Sequence, residues 1–272
     1  MLDSPKVPRG VELLDALESG ELRVAERADD GAWIVHTEVK EAILDIFRTS
    51  PVIPTGNELS SGDYTKLDLR SAPFRDKDLL RVRRFNKRDD VRMVPGGSAV
   101  RRGSYLGPGV VCMPPMYINI GAYVGARSMI DSHALVGSCA QIGEEVHVAA
   151  AAQIGGVLEP AGARPVIVED GAFVGGNTGL YEGVLVRAGA VIAAGVILTG
   201  TTRVFDLVNE VELKGTRDAP LEIPTGAVVI PGTRPAKGTW AMANSLAVNC
   251  AIITKYRDER TTAATALEEA LR

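Results

Sequence analysis

VPGGSAVRRGSYLGPGVVCMPPMYINIGAYVGARSMIDSHALVGSCAQIGEEVHVAAAAQI (94–154) decides the fold. Read at every sixth residue it gives Val94, Val100, Leu106, Cys112, Ile118, Val124, Ile130, Val136, Ile142, Val148 and Ile154, all apolar. Four residues after many of these stands a small side chain: Ser98, Ser104, Ala122, Ser128, Ala134, Ala140 and Ala152. The register breaks at Glu159–Pro165 and resumes as Val168, Val174, Leu180, Val186, Ile192, Leu198 and Val204. A period of six fits neither the 3.6 of an amphipathic helix nor the alternation of a hairpin sheet. It fits a hexapeptide repeat, in which each hexad is one short strand and a turn. Three hexads then make a triangular coil of about eighteen residues, and stacked coils bury one aliphatic column. Gly121, Gly125, Gly137 and Gly143 are expected to supply unusual backbone angles at the corners.

The composition agrees with a narrow core. Hydrophobic residues make up 46% of the 272, aromatics only 5%, and there are 29 glycines. A net charge of −4 offers no overall field for nucleic acid. The basic cluster Arg81 to Arg88 runs straight into Asp89 and Asp90 and is expected to be solvated, a local anion site being the alternative. Cys112, Cys139 and Cys250, odd in number and widely spaced, are expected as buried thiols of a reducing compartment. No apolar leader or 18-residue apolar run is present, so a cytoplasmic protein without membrane contact is expected.

The flanks differ from the hexads. Leu13, Leu14 and Leu17 before Ser19-Gly20 predict a helix with a glycine cap. Val39, Ala42, Ile43, Ile46 and Phe47 predict a second, stopped at Ser50-Pro51. Residues 54–64 read as a loop, and the tail as a strand over Ala247 to Ile253 and a final helix over Thr262 to Leu271. The expected organisation is a helical N-terminal domain (1–91), a β-helix (92–232) and a C-terminal extension (233–272).

The wording of the hexads is also informative. YINIGAYVGARSMIDSHALVGSCAQIG (117–143), VRMVP (91–95), GGVLEP (155–160), PVIVEDGAFVG (165–175) and PGTRPAK (231–237) closely resemble the tetrahydrodipicolinate N-succinyltransferase family of the diaminopimelate route to lysine. The resemblance implies a mainly β protein: a left-handed parallel β-helix with small terminal additions, assembled as a homotrimer whose sites lie between subunits. It implies an acyl-CoA co-substrate, acetyl-CoA or succinyl-CoA, and a small amino-dicarboxylate acceptor. It places Asp131 as the catalytic carboxylate at the substrate amine and Arg92 on a substrate carboxylate. Gly156 and Lys237 are implied as coenzyme A contacts, and no metal is implied; a solvated loop lysine at 237 and pairing of Arg92 with Asp89 or Asp90 are the alternatives. Holding a dicarboxylate needs a guanidinium, and an amine must shed a proton to attack a thioester.

Departures from the family text cluster in GGNTGLYEG (175–183), where the family reads GARSEVVEG: Asn177 stands on its Arg and Gly179 on its first Glu. This pattern resembles an acetyl-using relative from tabtoxin biosynthesis. His133 and His147 are expected as solvated turn residues, with a catalytic role the alternative, and Glu182 as a structural or subunit-contact residue. Two other readings of the repeat remain: a zinc hydratase, poorly served by two coil histidines, and a scaffold without activity.

Overall fold

The computed structural model describes residues 7–55, 74–216 and 218–258, so the predicted tail helix over 262–271 and most of the 54–64 loop lie outside the described residues. The hexads do stack. Two-residue strands visit three parallel sheets in turn, and within an uninterrupted run each strand pairs with the one eighteen residues on, as Tyr123 with Gln141 and Val124 with Ile142. One sheet runs from Tyr105–Leu106 to Glu222–Ile223. A second runs through Arg92–Met93, Val111–Cys112, Met129–Ile130, His147–Val148, Phe173–Val174 and Val191–Ile192, and a third from Ala99–Val100 to Ile197–Leu198. The second residue of each strand points inward. Val124, Ile142, Val168, Val174, Ile192 and their counterparts are fully buried in one column.

The small residues close the corners. Ser104, Ser128 and Ala140 are buried, and the hydroxyls are satisfied by backbone: Ser104 Oγ donates to Asn119 O at 2.8 Å and Ser128 Oγ to Gly143 O at 2.9 Å. Such bonding removes the cost of burying a hydroxyl. The glycines need a correction. Of the four expected to supply unusual angles only Gly121 has a positive φ, 75°. Gly125, Gly137 and Gly143 are glycine for space: a Cβ would lie 2.6 Å from Glu144 N, Gly156 Cα and Asp170 N respectively, atoms of the next coil. The left-handed positions instead recur every six residues and are filled mostly by other types: Gly121, Arg127, His133, Cys139, Glu145 and Ala151.

Three breaks in register are visible, the last after Ile197–Leu198, where Val204 of the strand Arg203–Asp206 pairs outside the coils and Ile223 takes the place expected for it. Met93, not Val94, pairs with Cys112, because the Gly96-Gly97 turn separates the first strands by seven residues. Residues 155–166 leave the coils as an excursion between Gln153–Ile154 and Ile167–Val168. Helix α1 (Gly10–Ser19) buries Leu13, Leu14 and Leu17 and ends at Gly20 in the left-handed region. Helix α2 (Thr37–Thr49) buries Val39, Ala42, Ile43 and Ile46. Both pack on the coil corner at Ile120 and Cys139. The wholly buried Lys40 of α2 donates from Nζ to Ala163 O at 2.8 Å and Pro160 O at 3.3 Å, fastening the excursion to the helices.

After the last full coil, Glu222–Ile223 and the start of Ala227–Pro235 add two more coil strands. Ala227–Pro235 then runs on and pairs antiparallel with Ala247–Tyr256. Asp206 anchors this extension. Its carboxylate accepts from Tyr256 Oη at 2.6 Å, Asn209 Nδ2 at 2.8 Å and Val208 N at 2.9 Å. No helix among the described residues is long and apolar enough to cross a membrane.

Candidate active site

Asp131 follows the Met129–Ile130 strand, where the chain leaves the second sheet for the corner. Its Oδ1 accepts the backbone N–H of Ser132 at 2.7 Å, and its Oδ2 lies 3.4 Å from His147 Nε2. The carboxylate keeps 27% of its side-chain surface open, whereas the imidazole keeps 6%. The expectation that His147 is a solvated turn residue is therefore corrected. It opens the His147–Val148 strand, pairs laterally with Met129 and Phe173, and packs edge-on against the Phe173 ring at 5.1 Å. His133 does sit exposed in a turn, with φ 63° and its N–H bonded to Pro115 O.

Arg92 stands on the same sheet. Arg92 pairs with Val111 and Val111 with Met129, so two lateral steps of about 4.8 Å separate Arg92 from Met129. Met93 packs on the core and the exposed Arg92 faces away from it. The fold thus aligns on one outer face a guanidinium and a carboxylate that are 39 residues apart in sequence.

Gly156 and Lys237 lie elsewhere. Gly156 is exposed at the start of the excursion. A Cβ there would meet Ser138 N at 2.8 Å, so only glycine lets this strand end lie flat on the neighbouring coil. Lys237 is exposed between Ala227–Pro235 and the short helix α3 (Thr239–Ala243). Gly156 follows a strand of the third sheet, and Lys237 lies beyond the end of Ala227–Pro235.

The divergent word has its own geometry. Asn177 is an exposed turn residue with φ 55°, and Gly179 is buried. A Cβ on Gly179 would come within 2.5 Å of Tyr181 Cε2 and 2.9 Å of Tyr181 Oη, and one on Gly155 within 2.7 Å of Tyr181 Cδ1. The Tyr181 ring lies over both glycines and fills the space a side chain at position 179 would take. Glu182 serves the coil, its Oε2 accepting Gly200 N at 3.2 Å.

The N-terminal module holds charges that sequence reading passed over. A cavity of about 200 Å³ is lined by Arg23, Arg27, Trp33, Tyr123, Gly143, Glu144, Glu169 and Asp170. Arg23 stacks 3.5 Å from the Tyr123 ring centre and donates to Gln141 Oε1 at 3.2 Å; burial lowers its pKa. Glu169, 4% exposed, accepts from Trp33 Nε1 at 2.9 Å, Arg187 Nη1 at 3.0 Å and Ala188 N at 3.0 Å. These contacts fasten the module to the coils. Arg83 is likewise no solvated surface residue: it donates to Ser104 O and stacks 4.7 Å from the Phe85 ring centre. The cysteines are buried as expected, and burial pushes the Cys112 and Cys139 thiols up to about 12.

Residues 11–49 match the family described as Tetrahydrodipicolinate N-succinyltransferase N-terminal, and residues 165–200 match the Hexapeptide repeat of succinyl-transferase. A 2,3,4,5-tetrahydropyridine-2,6-dicarboxylate N-succinyltransferase from Idiomarina loihiensis is 41% identical over 262 residues, 96% of this chain and 87% of that one. Proteins of the same name from Acinetobacter baylyi and Nitrobacter hamburgensis are 41% and 42% identical, covering 96% and 95% of this chain and 88% and 87% of theirs. With the repeat, the site words and this identity over nearly its whole length, the chain belongs to the tetrahydrodipicolinate N-succinyltransferase family, the hexapeptide-repeat acyltransferases with a left-handed parallel β-helix.

Proposed function

We propose that the protein transfers an acyl group from acyl-CoA to the amine of L-2-amino-6-oxopimelate, the form tetrahydrodipicolinate takes once water adds to its C=N bond and the ring opens, and that acetyl-CoA is the better donor. The observation that carries the transfer is the half-open Asp131 carboxylate on the face that also bears Arg92. Arg92 holds a substrate carboxylate. Asp131 hydrogen-bonds the amine and takes its proton as nitrogen bonds to the thioester carbonyl carbon. Collapse of the tetrahedral adduct breaks the carbon–sulfur bond, and coenzyme A leaves as the thiol with a proton returned through the same carboxylate. Gly156 and Lys237 take the coenzyme, the glycine through an unobstructed backbone and the lysine through a phosphate.

The donor assignment rests on residues 177–181. Succinyl carries a terminal carboxylate that must be desolvated on entry and so needs a cation or several donors. Asn177 offers a neutral amide, Gly179 offers nothing, and the Tyr181 ring narrows the space beside them. A carboxylate held by an amide instead of a guanidinium loses roughly 1–2 kcal/mol, about 5- to 30-fold in specificity. The expected result is a higher kcat/KM with acetyl-CoA than with succinyl-CoA, and a shift towards succinyl-CoA in Asn177→Arg. A wild-type preference for succinyl-CoA of tenfold or more assigns the chain the reaction for which its relatives are named.

The same reading makes the active unit a homotrimer, with the site shared between neighbouring β-helices, as the family resemblance implies. Trp240 and Met242 of α3, 73% and 71% exposed, give the extension an apolar surface for a neighbouring copy to cover. Light scattering should give about three times 28.8 kDa; an active monomer would rule out the shared site.

A further inference from the structure

We propose that His147 is a positioning residue that fixes the Asp131 carboxylate for proton transfer; this rests on the reading of Asp131 given above. The two lie sixteen residues apart in sequence, and the eighteen-residue coil makes them neighbours. The outward row of the second sheet reads Val111, Met129, His147, Phe173 and Val191. Arg92 ends this row beyond Val111, and between Arg92 and Val191 His147 is the one polar member. An imidazole there, 5% exposed, must direct its polar atoms somewhere, and its Nε2 meets Asp131 Oδ2 at 3.4 Å. With the proton on Nε2 it donates to that oxygen, while the Ser132 N–H holds the other. Two donors on two oxygens fix the carboxylate's rotation about its last bond and leave its remaining lone pairs facing solvent, where an amine would arrive.

The arrangement inverts the usual division of labour in an Asp–His pair. Here the imidazole is buried and the carboxylate is open, so the carboxylate meets substrate and the imidazole orients it. The Phe173 ring, edge-on at 5.1 Å and 77°, and the lateral neighbour Met129 restrict the imidazole. A packed group holding a hydrogen bond from behind is how a reactive side chain is kept within a fraction of an ångström of its working geometry. This role differs from that of a general base: His147 takes no proton from the substrate.

The test is a double-substitution cycle on the full-length protein, reading kcat and KM for both substrates together with the melting temperature. His147→Met keeps bulk and removes the donor, and His147→Gln puts an amide N–H near the place of Nε2. The expected results are a 10- to 100-fold fall in kcat for His147→Met with KM within about 3-fold, and recovery to within about 5-fold of wild type in His147→Gln. In the Asp131→Asn background His147→Met should cost nothing further, because a residue that acts through another loses its effect with it. If His147→Met does not fold, His147→Asn, whose amide falls short of Asp131, replaces it in the cycle. Multiplicative losses in the double variant, turnover within 2-fold of wild type in His147→Met, or equal losses in the donor-lacking and Gln variants would overturn the proposal. Normal turnover in Asp131→Asn would instead defeat the reading of Asp131 itself. A crippled Asp131→Asn beside a silent His147→Met defeats only the present inference.

Discussion

Asp131→Asn is expected to lower kcat by roughly 10² to 10⁴, the range for removing a positioned acid–base group. The substitution keeps shape and one hydrogen bond, since an Asn Oδ1 can still accept the Ser132 N–H now bonded at 2.7 Å. What it removes is the capacity to take a proton from an ammonium-like nitrogen and return it to a thiolate. The fold should be untouched, because Asp131 is only half-buried and contributes nothing to the aliphatic column. Arg92→Ala should act differently. It removes a charge-assisted contact worth roughly 1.5–3 kcal/mol, about 10- to 150-fold, and should raise the KM of the amino-dicarboxylate more than it lowers kcat. Thiol release from acyl-CoA, followed over a range of acceptor concentrations, separates the two. Near-normal kcat in Asp131→Asn would end the carboxylate mechanism and turn attention to the exposed His133.

Much of the fold was legible because a six-residue period has a single physical meaning. Val124 and Ile142, and beyond the excursion Val174 and Ile192, lie three hexads apart, and all four are fully buried. The corners were read less well, for a reason that the glycines make plain. Sequence reasoning assigns glycine to positive φ, yet Gly125, Gly137 and Gly143 are there because the next coil's backbone passes where a Cβ would be. Arg127, His133, Cys139 and Glu145 meanwhile adopt the left-handed conformation themselves. Distance across coils is invisible to a hexad count, and the same blindness hid the site's main contact. Taken alone, a coil histidine such as His147 is expected in a solvated turn. Counting by eighteen from Met129 would have put it on a strand beside Asp131. Tyr181 was missed for a related reason: its ring reaches back over Gly155, which belongs to the preceding coil.

Ile142→Asp is expected to abolish soluble, native-sized protein, and its size follows from where Ile142 sits. The residue is 0% exposed, pairs laterally with Val124 below and Val168 above, and belongs to the column that every coil shares. Losing the burial of an isoleucine removes roughly 1.5–3 kcal/mol. The carboxyl that replaces it has no donor within the column. Even protonated it is a polar group without a partner, at a further cost of roughly 2–7 kcal/mol, and ionised it costs more. The sum, roughly 3.5–10 kcal/mol before any ionisation, is comparable with the lower part of the 5–15 kcal/mol that holds a typical domain together. In a stack of coils, moreover, each coil is stabilised by contact with its neighbours. A break at Ile142 therefore separates the coils that carry Asp131 from those that carry Gly179, so no intact half with a complete site is left. Ile142→Val provides the control, with an expected loss of about 0.5–1.5 kcal/mol and normal assembly. Thermal melting and gel filtration of the pair decide the matter: an Ile142→Asp protein that elutes and melts like wild type would mean that the column does not hold the coils together.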